Sequence, residues 1–458
     1  MTTTIRPKLV PPGPKGQFLL GSLPEYSRDP LGFMSRCARD YGDTVSLKGL
    51  VPSYLFNHPD AIEQMLISQH DYLRKSEFVK IIRPLLGNGI LLSEGDFWKQ
   101  QRHLIQPAFH RKRIATYAET MVDYAEKMLD SWQPGQVRDI HQDMMALTLA
   151  IAAKTFFGSD LKSDIATIEK AVTLMLHHSD RRTQNALLFY LPDAVPTPDN
   201  LRLRRAIKRL DGMVYRLIRQ RRSEQDTSGK VSKDLLSMLL NMQADDGSRM
   251  SDCQVRDEVN TFLLAGHETT ALVLSWALYL LGQHPEIAEK LATETQTVLE
   301  GRSPTLADLA QLPYTEWIVL EAMRLYPPVW VLARTAAQDC EIGGYVVKKG
   351  LTVLASPWVV HRDPRWFHEP DKFIPERWAN NFAKQLPSFA YFPFGGGSRI
   401  CIGKAFAMME SRLLLASVVT HYRLKLADPK PIAPWPSLSL RPQQPIRMRL
   451  ETIGDANL

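Results

Sequence analysis

The chain has 458 residues, of which 44% are hydrophobic and 23% are charged, and its formal net charge is +7. This composition is typical of a folded globular protein and excludes a low-complexity or disordered one. The basic residues are scattered along helical segments, which argues against nucleic-acid binding, and four widely separated cysteines without a Cys-x-x-Cys pair argue against a disulfide framework or a zinc site.

Residues 1–20 form a proline-rich entry segment that contains Pro11, Pro12 and Pro14. It has no apolar stretch of the kind that a signal peptide or a membrane helix needs, and no later segment is long and apolar enough to cross a bilayer. We therefore expect no membrane anchor or span and a soluble, cytoplasmic protein.

Helical spacing of apolar residues dominates from about 96 to 325. It predicts helices over 98–108, 115–132, 144–157, 201–222, 233–243, 254–283, 314–325 and 404–419. Strand-like segments rich in Val, Ile and Tyr lie at 44–55 and 340–355, between turn signals. The pattern predicts a mainly α fold with a small β region. Length alone suggests about three domains, but the chemically informative residues spread from Trp98 to Cys401, so we expect a single domain over 1–458.

The segment 394–403, with the sequence FGGGSRICIG, places Cys401 just before a predicted helix. Three consecutive glycines let a backbone turn tightly and approach a flat group closely. A helix N-terminus favours the thiolate form of cysteine, which suits Cys401 as an axial ligand of haem iron. The alternative for an isolated cysteine is a buried structural residue.

The predicted helix over 254–283 contains the polar sequence AGHETT at 265–270. A carboxylate (Glu268) beside a hydroxyl (Thr269) in an apolar helix suits a proton relay, and Gly266 leaves space for a flat group. A kinked core helix would explain the same residues. We expect His267, which stands alone, to be a satisfied or exposed histidine.

These segments resemble those of the cytochrome P450 family. Residues 394–403 match the haem-binding signature Phe-x-x-Gly-x-Arg-x-Cys-x-Gly at every fixed position, and 265–269 match the Ala/Gly-Gly-x-Asp/Glu-Thr segment. Glu321 and Arg324 match the Glu-x-x-Arg pair, with Arg377 as the third member of a structural triad. One departure is Trp378 after Arg377, where Phe is commoner.

The resemblance implies the haem-thiolate fold and haem b (iron protoporphyrin IX) with Cys401 as its axial ligand. Arginines suit the two propionates through their bidentate guanidinium groups. The expected cofactor contacts are Trp98, Arg102, Ala265, Gly266, Arg334, Phe394, Arg399 and Gly403.

The implied activity is monooxygenation with O₂, with Glu268 and Thr269 as catalytic residues. The chain has no flavin, nicotinamide or iron–sulfur motif, so electrons must come from outside. Basic residues flank the elements expected on the thiolate side and would suit an acidic ferredoxin or flavodoxin with its reductase; they are Lys99, Arg111, Lys112, Arg113, Lys404 and Arg412. Segments 73–92 and 174–195 are rich in Leu, Ile and Phe, so we expect a lipophilic substrate such as a fatty acid or a terpenoid, and a monomer.

Two alternatives stay open at this point. One is a peroxide-driven or isomerising haem-thiolate enzyme, against which the intact Glu268–Thr269 pair argues. The other is a non-catalytic haem sensor or electron carrier, which would need His267 as a sixth ligand.

Overall fold

The computed structural model describes residues 10–17, 21–49, 51–158, 164–228, 234–243, 247 and 249–452. Nineteen α-helices lie in these ranges, connected in part by short 3₁₀ turns. They are α1 Leu23–Arg28, α2 Pro30–Tyr41, α3 Pro59–Glu63, α4 Glu77–Lys80, α5 Arg83–Leu86, α6 Gly95–Ile105, α7 Arg111–Ile114, α8 Ala118–Leu129, α9 Ile140–Phe157, α10 Ile165–Gln184, α11 Ala186–Tyr190, α12 Pro198–Ser228, α13 Leu235–Asn241, α14 Asp252–Gln283, α15 Pro285–Leu299, α16 Pro313–Leu325, α17 Pro357–Val360, α18 Phe382–Gln385 and α19 Lys404–His421.

Twelve short strands form four sheets within the described residues. The strands are β1 Thr44–Leu47, β2 Ser53–Phe56, β3 Leu73–Lys75, β4 Val137–Asp139, β5 Leu332–Ala336, β6 Cys340–Ile342, β7 Tyr345–Val347, β8 Thr352–Ala355, β9 Tyr422–Leu426, β10 Pro434–Pro436, β11 Leu440–Pro442 and β12 Arg447–Thr452. The largest sheet has the order β1-β2-β8-β5-β3, in which only β2 and β8 run parallel. A second sheet has the order β4-β12-β9, while β6–β7 and β10–β11 are hairpins.

Helix α14 is the central element of the helical part. It begins at a capping box in which Ser251 and Gln254 each bond the backbone N–H of the other. Such a reciprocal cap satisfies two orphan donors at a helix start. Most of its 32 residues are buried, and the buried residues lie on all sides of the helix. The helix packs along α9 and against α16 and α19. A helix that is apolar all round belongs in a protein core, which explains the weak amphipathic signal of this segment.

The fold prediction of a mainly α protein with small sheets is confirmed. The predicted 98–108 helix ends at Ile105, because Pro107 follows in a 3₁₀ turn. The predicted 144–157 helix begins earlier, at Ile140, where the Asp139 carboxylate caps it. The strand-like segment 340–355 contains three short strands, β6, β7 and β8.

Several elements were not predicted, including α10 and α15 and most of the strands after 420. The largest hydrophobic cluster contains buried residues from Ile81 to Leu450, which supports a single domain, although that boundary stays a prediction. Within the described ranges, none of the helices is long and apolar enough to cross a membrane. The cytoplasmic location also stays a prediction.

Candidate active site

The loop 394–403 holds Cys401 at the start of α19. The Cys401 backbone N–H donates to the Phe394 carbonyl (3.0 Å), which closes the loop on itself. Although the protein surrounds its side chain, Cys401 keeps an accessible surface, and a Cβ added at Gly403 would lie 3.9 Å from its Sγ. A cysteine that keeps accessible surface, next to a residue without a side chain, can bind a metal ion through its thiolate.

Glycines in this loop are needed mainly for protein packing. Gly397 has φ +64°, and a Cβ there would lie 2.0 Å from the Leu66 carbonyl oxygen. A Cβ on Gly396 would lie 2.2 Å from the Phe389 ring. Gly396 and Gly397 therefore allow a close approach to protein groups, whereas the sequence pattern predicts for the three glycines a tight turn and the approach of a flat group. The space next to Gly395 is more open, with Leu332 nearest at 3.9 Å.

The helix start does not by itself make Cys401 a thiolate. Burial raises the pKa of the Cys401 thiol above its usual range, although the N–H groups of Gly403 and Lys404 and the Arg102 charge oppose the rise. The N–H groups at the helix start favour the thiolate, as expected, but burial has the larger and opposite effect. A bound metal cation deprotonates a coordinating thiol outright, so the donor set suits a metal-bound thiolate.

One face of α14 is open where the rest of the helix is buried. Ala265 is exposed and Thr269 is half-buried, and these residues lie four positions apart on one helical face. The Thr269 hydroxyl donates to the Ala265 carbonyl (2.9 Å). This back-bonding is typical of hydroxyl residues inside helices and fixes the rotamer of Thr269 on the open face.

Gly266 faces an aromatic ring instead of the open face. A Cβ at Gly266 would lie 2.6 Å from Cε2 of Phe156, and that ring packs on Phe406 of α19 with centroids 5.0 Å apart. The expectation that Gly266 leaves space for a flat group is wrong; it lets α9, α14 and α19 approach one another. The small residue on the open face is Ala265.

The carboxylate of Glu268 is engaged on the other side of α14. It is buried, accepts a hydrogen bond from Ser439, and pairs with Arg441, whose Nε and Nη2 lie 2.8 Å from its Oε1. Ser439 lies in the turn of the β10–β11 hairpin, and Arg441 lies in its second strand. Glu268 therefore anchors that hairpin, a contact that the expected relay with Thr269 did not include.

His267 is buried in the core. Its Nδ1 bonds the Leu263 carbonyl of the same helix, and its backbone carbonyl accepts from Thr148 of α9 at 3.0 Å. Burial lowers the pKa of His267. The ring is only partly satisfied, because its buried Nε2 has no hydrogen-bond partner among the described residues. Since His267 is two residues from both Ala265 and Thr269, it lies on a different face of α14.

Basic groups gather around one carboxylate next to the Cys401 loop. The Arg399 guanidinium lies 3.7 Å from the Trp98 ring centroid and bonds Glu94 at 3.0 Å. The Lys75 backbone N–H also donates to Glu94, at 2.5 Å. Arg102 bonds the Ile400 carbonyl at 3.0 Å. Trp98 thus supports Arg399 through a cation–π contact.

Lys75 and Arg334 lie directly opposite each other in the β3–β5 pair. Burial, followed by the charges of Arg334 and Arg399, lowers the pKa of Lys75 well below its usual range. Burial also lowers the pKa of Arg399, to about 10. Like charges opposite each other destabilise a sheet. Lys75, Arg334 and Arg399 thus lie close to one another and to the single carboxylate of Glu94, with which Arg399 pairs. This excess of positive charge fits a dianionic group, such as the two propionates of haem.

The residues Glu321, Arg324 and Arg377 meet in a buried network. Arg324 makes a bidentate pair with Glu321 at 2.9 Å, and Arg377 bonds the same carboxylate at 2.9 Å. The Trp378 indole N–H adds a further bond at 2.8 Å. The departure from Phe at this position thus supplies a donor that Phe lacks.

This network supports the Cys401 loop through the segment before it. Arg324 donates to the carbonyls of His361 (2.8 Å) and Pro370 (2.6 Å). The His361 ring accepts from the Phe392 backbone N–H at 2.9 Å, two residues before the loop begins. The expected support of the cysteine loop therefore has a continuous path of hydrogen bonds.

The basic residues expected on the thiolate side differ in whether a carboxylate pairs with them. Lys99 pairs with Asp96 (3.1 Å), and Arg412 pairs with Glu316 (3.1 Å). Arg111, Lys112 and Lys404 are exposed, and the Lys404 ammonium lies 5.8 Å from the Phe394 ring centroid.

Sequence reasoning missed Lys75, Glu94 and Arg441. Their roles depend on pairings between segments far apart in the chain, such as β3 with β5 and the β10–β11 hairpin with α14. Among the described residues, no group of three or more His, Cys, Asp or Glu side chains could hold a metal ion.

Comparison with known proteins supports the same reading. A family model described as Cytochrome P450 matches residues 11–450. The chain is 39% identical over 412 residues to a cyclooctat-9-en-7-ol 5-monooxygenase of Streptomyces melanosporofaciens, covering 89% of this chain and 88% of that protein. It is 37% identical to a cyclooctatin synthase of the same organism (95% and 94% covered) and 32% identical to a pentalenene oxygenase of Streptomyces avermitilis (91% and 92% covered).

Proposed function

The chain belongs to the cytochrome P450 family, and we propose that it hydroxylates a terpenoid at a site formed by Cys401, Ala265 and Thr269. It is a haem-thiolate monooxygenase that uses O₂ and electrons from a redox partner to oxidise a lipophilic small molecule. The observation that carries the site assignment is the open Cys401 thiol beside an excess of cations over anions. The three relatives, whose names describe cyclooctatin and pentalenene chemistry, favour a terpenoid over a fatty acid.

Haem b supplies the iron at which O₂ is reduced when it is bound. In our proposal, Cys401 holds that iron from one side. Arg102, Arg334, Arg399 and Lys75 hold the propionates through charge-assisted hydrogen bonds. Gly403 keeps the space next to the Cys401 sulfur free of a side chain, and Phe394 starts the loop.

On the open face of α14, the small side chain of Ala265 would leave room for O₂ and substrate. The Thr269 hydroxyl is placed to pass a proton into the site, because it lies on the same open helical face. Glu268 acts indirectly, by holding the β10–β11 hairpin through Arg441 and Ser439. Glu321, Arg324 and Arg377 keep the cysteine loop in position.

The electron donor is proposed to be an acidic ferredoxin or flavodoxin with its reductase. Arg111, Lys112 and Lys404 are exposed near the elements that carry the thiolate, and such charges speed encounter with an acidic partner. Lys99 and Arg412 contribute less, because each is paired with a carboxylate. We also propose that the protein acts as a monomer.

Two other functions receive less support. A haem sensor would need His267 as a second ligand, and this residue lies about 200° around α14 from Ala265, away from the open face. A peroxide-driven enzyme has no use for a hydroxyl such as Thr269 that passes protons to O₂. Turnover with peroxide alone, compared with turnover with reduced ferredoxin and O₂, distinguishes this enzyme from the one that we propose.

The function is tested by titrating the purified, haem-loaded protein with terpenoids and with fatty acids of similar length. We expect terpenoids to shift the ferric iron from low to high spin and to yield hydroxylated products. Cys401→His should abolish the strongly red-shifted band of the ferrous carbon monoxide complex while haem stays bound. If that band persists in the variant, Cys401 is not the ligand; if fatty acids alone shift the spin state, the terpenoid proposal is wrong.

A further inference from the structure

A mainly apolar cavity lies between α10, the β10–β11 hairpin and the five-stranded sheet. Apolar side chains such as Phe33, Phe78 and Leu438 form much of its wall. Trp330, Val331 and Ala333 form the part of the wall that leads into β5. Leu332 in this strand is the neighbour of Gly395 in the cysteine loop. The cavity and the Cys401 loop therefore share strand β5, which lines the cavity through Ala333 and contacts the loop through Leu332.

One half-buried carboxylate, that of Asp180 on α10, lines this cavity. Its Oδ1 accepts from the Ser437 hydroxyl at 2.5 Å, and its Oδ2 accepts from the Trp435 indole N–H at 3.2 Å. Both donors are neutral. No ion pair in the described part of the chain includes Asp180, although most carboxylates in its vicinity have a basic partner, as Asp193 has in Arg182.

Such a carboxylate has capacity for a further donor. An ionised carboxylate offers about four acceptor positions on its two oxygens, of which the protein uses two here. A hydroxyl group on a ligand can fill another position without adding charge. A ligand carboxylate would instead bring a second negative charge into a partly desolvated place, where like charges repel strongly.

Lys48 is the basic residue in the cavity lining, and it could attract a fatty acid. Its side chain is exposed at the rim, so solvent and salt screen its charge. Asp180 is the more enclosed of the two charges and therefore has the larger effect on a ligand inside the cavity.

We propose that Asp180 selects a neutral, hydroxyl-bearing terpenoid as substrate and fixes its orientation by accepting a hydrogen bond from that hydroxyl. The inference rests on the proposed terpenoid hydroxylation and makes it more specific. The substrate then arrives already oxygenated, from a reaction that installs an alcohol on a terpene skeleton, and this enzyme adds a second oxygen at another carbon.

The competing explanation is that Asp180 only fastens the hairpin to α10. Trp435→Phe and Ser437→Ala separate the two roles, because they remove the neutral donors and leave the carboxylate in place. If Asp180 recognises the ligand, both variants keep the preference for an alcohol. If it is only a fastening, both variants behave like Asp180→Asn.

The experiment measures the binding of geranylgeraniol, its methyl ether and palmitate to the haem-loaded protein, by the spin-state shift and by calorimetry. The methyl ether has nearly the shape of the alcohol but cannot donate a hydrogen bond. We expect the native protein to bind the alcohol about tenfold more tightly than the ether, as a hydrogen bond to a charged group predicts. Asp180→Asn should reduce this ratio to about threefold or less and should improve palmitate binding.

Glu169→Gln, at an exposed carboxylate on the same helix, is the matched control and should leave all three affinities unchanged. Equal binding of alcohol and ether by the native protein would overturn the inference, while terpenoid hydroxylation would still stand. Binding and oxidation of palmitate alone would instead overturn the terpenoid function itself.

Discussion

Thr269 and Glu268 are neighbours in sequence but face different parts of the molecule. Successive residues of a helix point about 100° apart, so the alcohol and the acid do not share a face. Thr269 lies with Ala265 on the open side of α14, whereas Glu268 pairs with Arg441 of the hairpin. In the proposed site, the Thr269 hydroxyl would deliver protons from the open face, and the Glu268 carboxylate would have a positioning role.

Replacing Thr269 by Ala should therefore separate electron use from product formation. Without the hydroxyl, protons reach the site through disordered water, and we expect hydroxylated product per electron consumed to fall by about tenfold or more while electron consumption continues. The measurement is the ratio of product to reducing equivalents, together with the hydrogen peroxide released. Thr269→Ser keeps a hydroxyl and should retain most of the coupling; equal coupling in the Ala variant would exclude a role for this hydroxyl.

Single residues were predictable from the sequence when they belong to a contiguous motif. Cys401 and Thr269 are examples. Lys75 lies opposite Arg334 only because β3 pairs with β5, which are more than 250 positions apart in the chain. Asp180 meets Trp435 and Ser437 for the same reason. Contacts of this kind depend on the tertiary fold, and local spacing holds no information about them.

Among the elements, the β10–β11 hairpin shows how buried tryptophans position a short strand pair. The Trp276 indole N–H donates to the Leu440 carbonyl (3.0 Å) and that of Trp330 to the Ser437 carbonyl (2.7 Å). The strands are three residues each and rich in proline, which hides them from any strand pattern. They are ordered by the core around them rather than by their own propensity.

The segment before the cysteine loop depends in a similar way on the buried Glu321 carboxylate. Trp378→Phe removes one of its donors, the indole N–H. A hydrogen bond to a charged group contributes about 1.5–3 kcal/mol, so we expect the free energy of unfolding to fall by about 2 kcal/mol. Denaturant unfolding of the haem-loaded protein measures this change.

Trp366→Phe is the matched control for that prediction. Its indole nitrogen makes no hydrogen bond within the described part of the chain, so the substitution changes ring size but breaks no bond to a carboxylate. A smaller loss is expected there. Equal losses in the two variants would mean that Trp378 contributes only packing.

At the scale of the whole molecule, two glutamates in the described part of the chain, Glu258 and Glu410, are buried without a cation partner. Burial raises the pKa of Glu258 to about 8, although the Ile90 backbone N–H opposes the rise. Burial likewise raises the pKa of Glu410 on α19 to about 8, with the Thr270 hydroxyl of α14 opposing. Both groups are therefore neutral in the folded protein near pH 7, while the unfolded chain, with a glutamate pKa of 4.5, ionises them.

This difference makes the protein less stable as the pH rises. Below pH 4.5 the folded and the unfolded state both hold these protons, and the stabilising contribution of each group is fully present. Between pH 4.5 and about 8 only the folded state holds them. Unfolding then releases protons, so the free energy of unfolding falls as the pH rises. Each such group contributes a slope of roughly 1 kcal/mol per pH unit.

Glu410→Gln removes one of the two carboxyl groups that hold a proton only in the folded state. We expect urea unfolding of the haem-loaded variant between about pH 5.5 and 7.5 to show a pH slope that is smaller by about 1 kcal/mol per unit than in the native protein. Glu341→Gln, at an exposed glutamate, should leave the slope unchanged. An unaltered slope in the Glu410 variant would mean that this carboxyl is ionised in the folded protein, and its burial between α14 and α19 would then require a cationic partner.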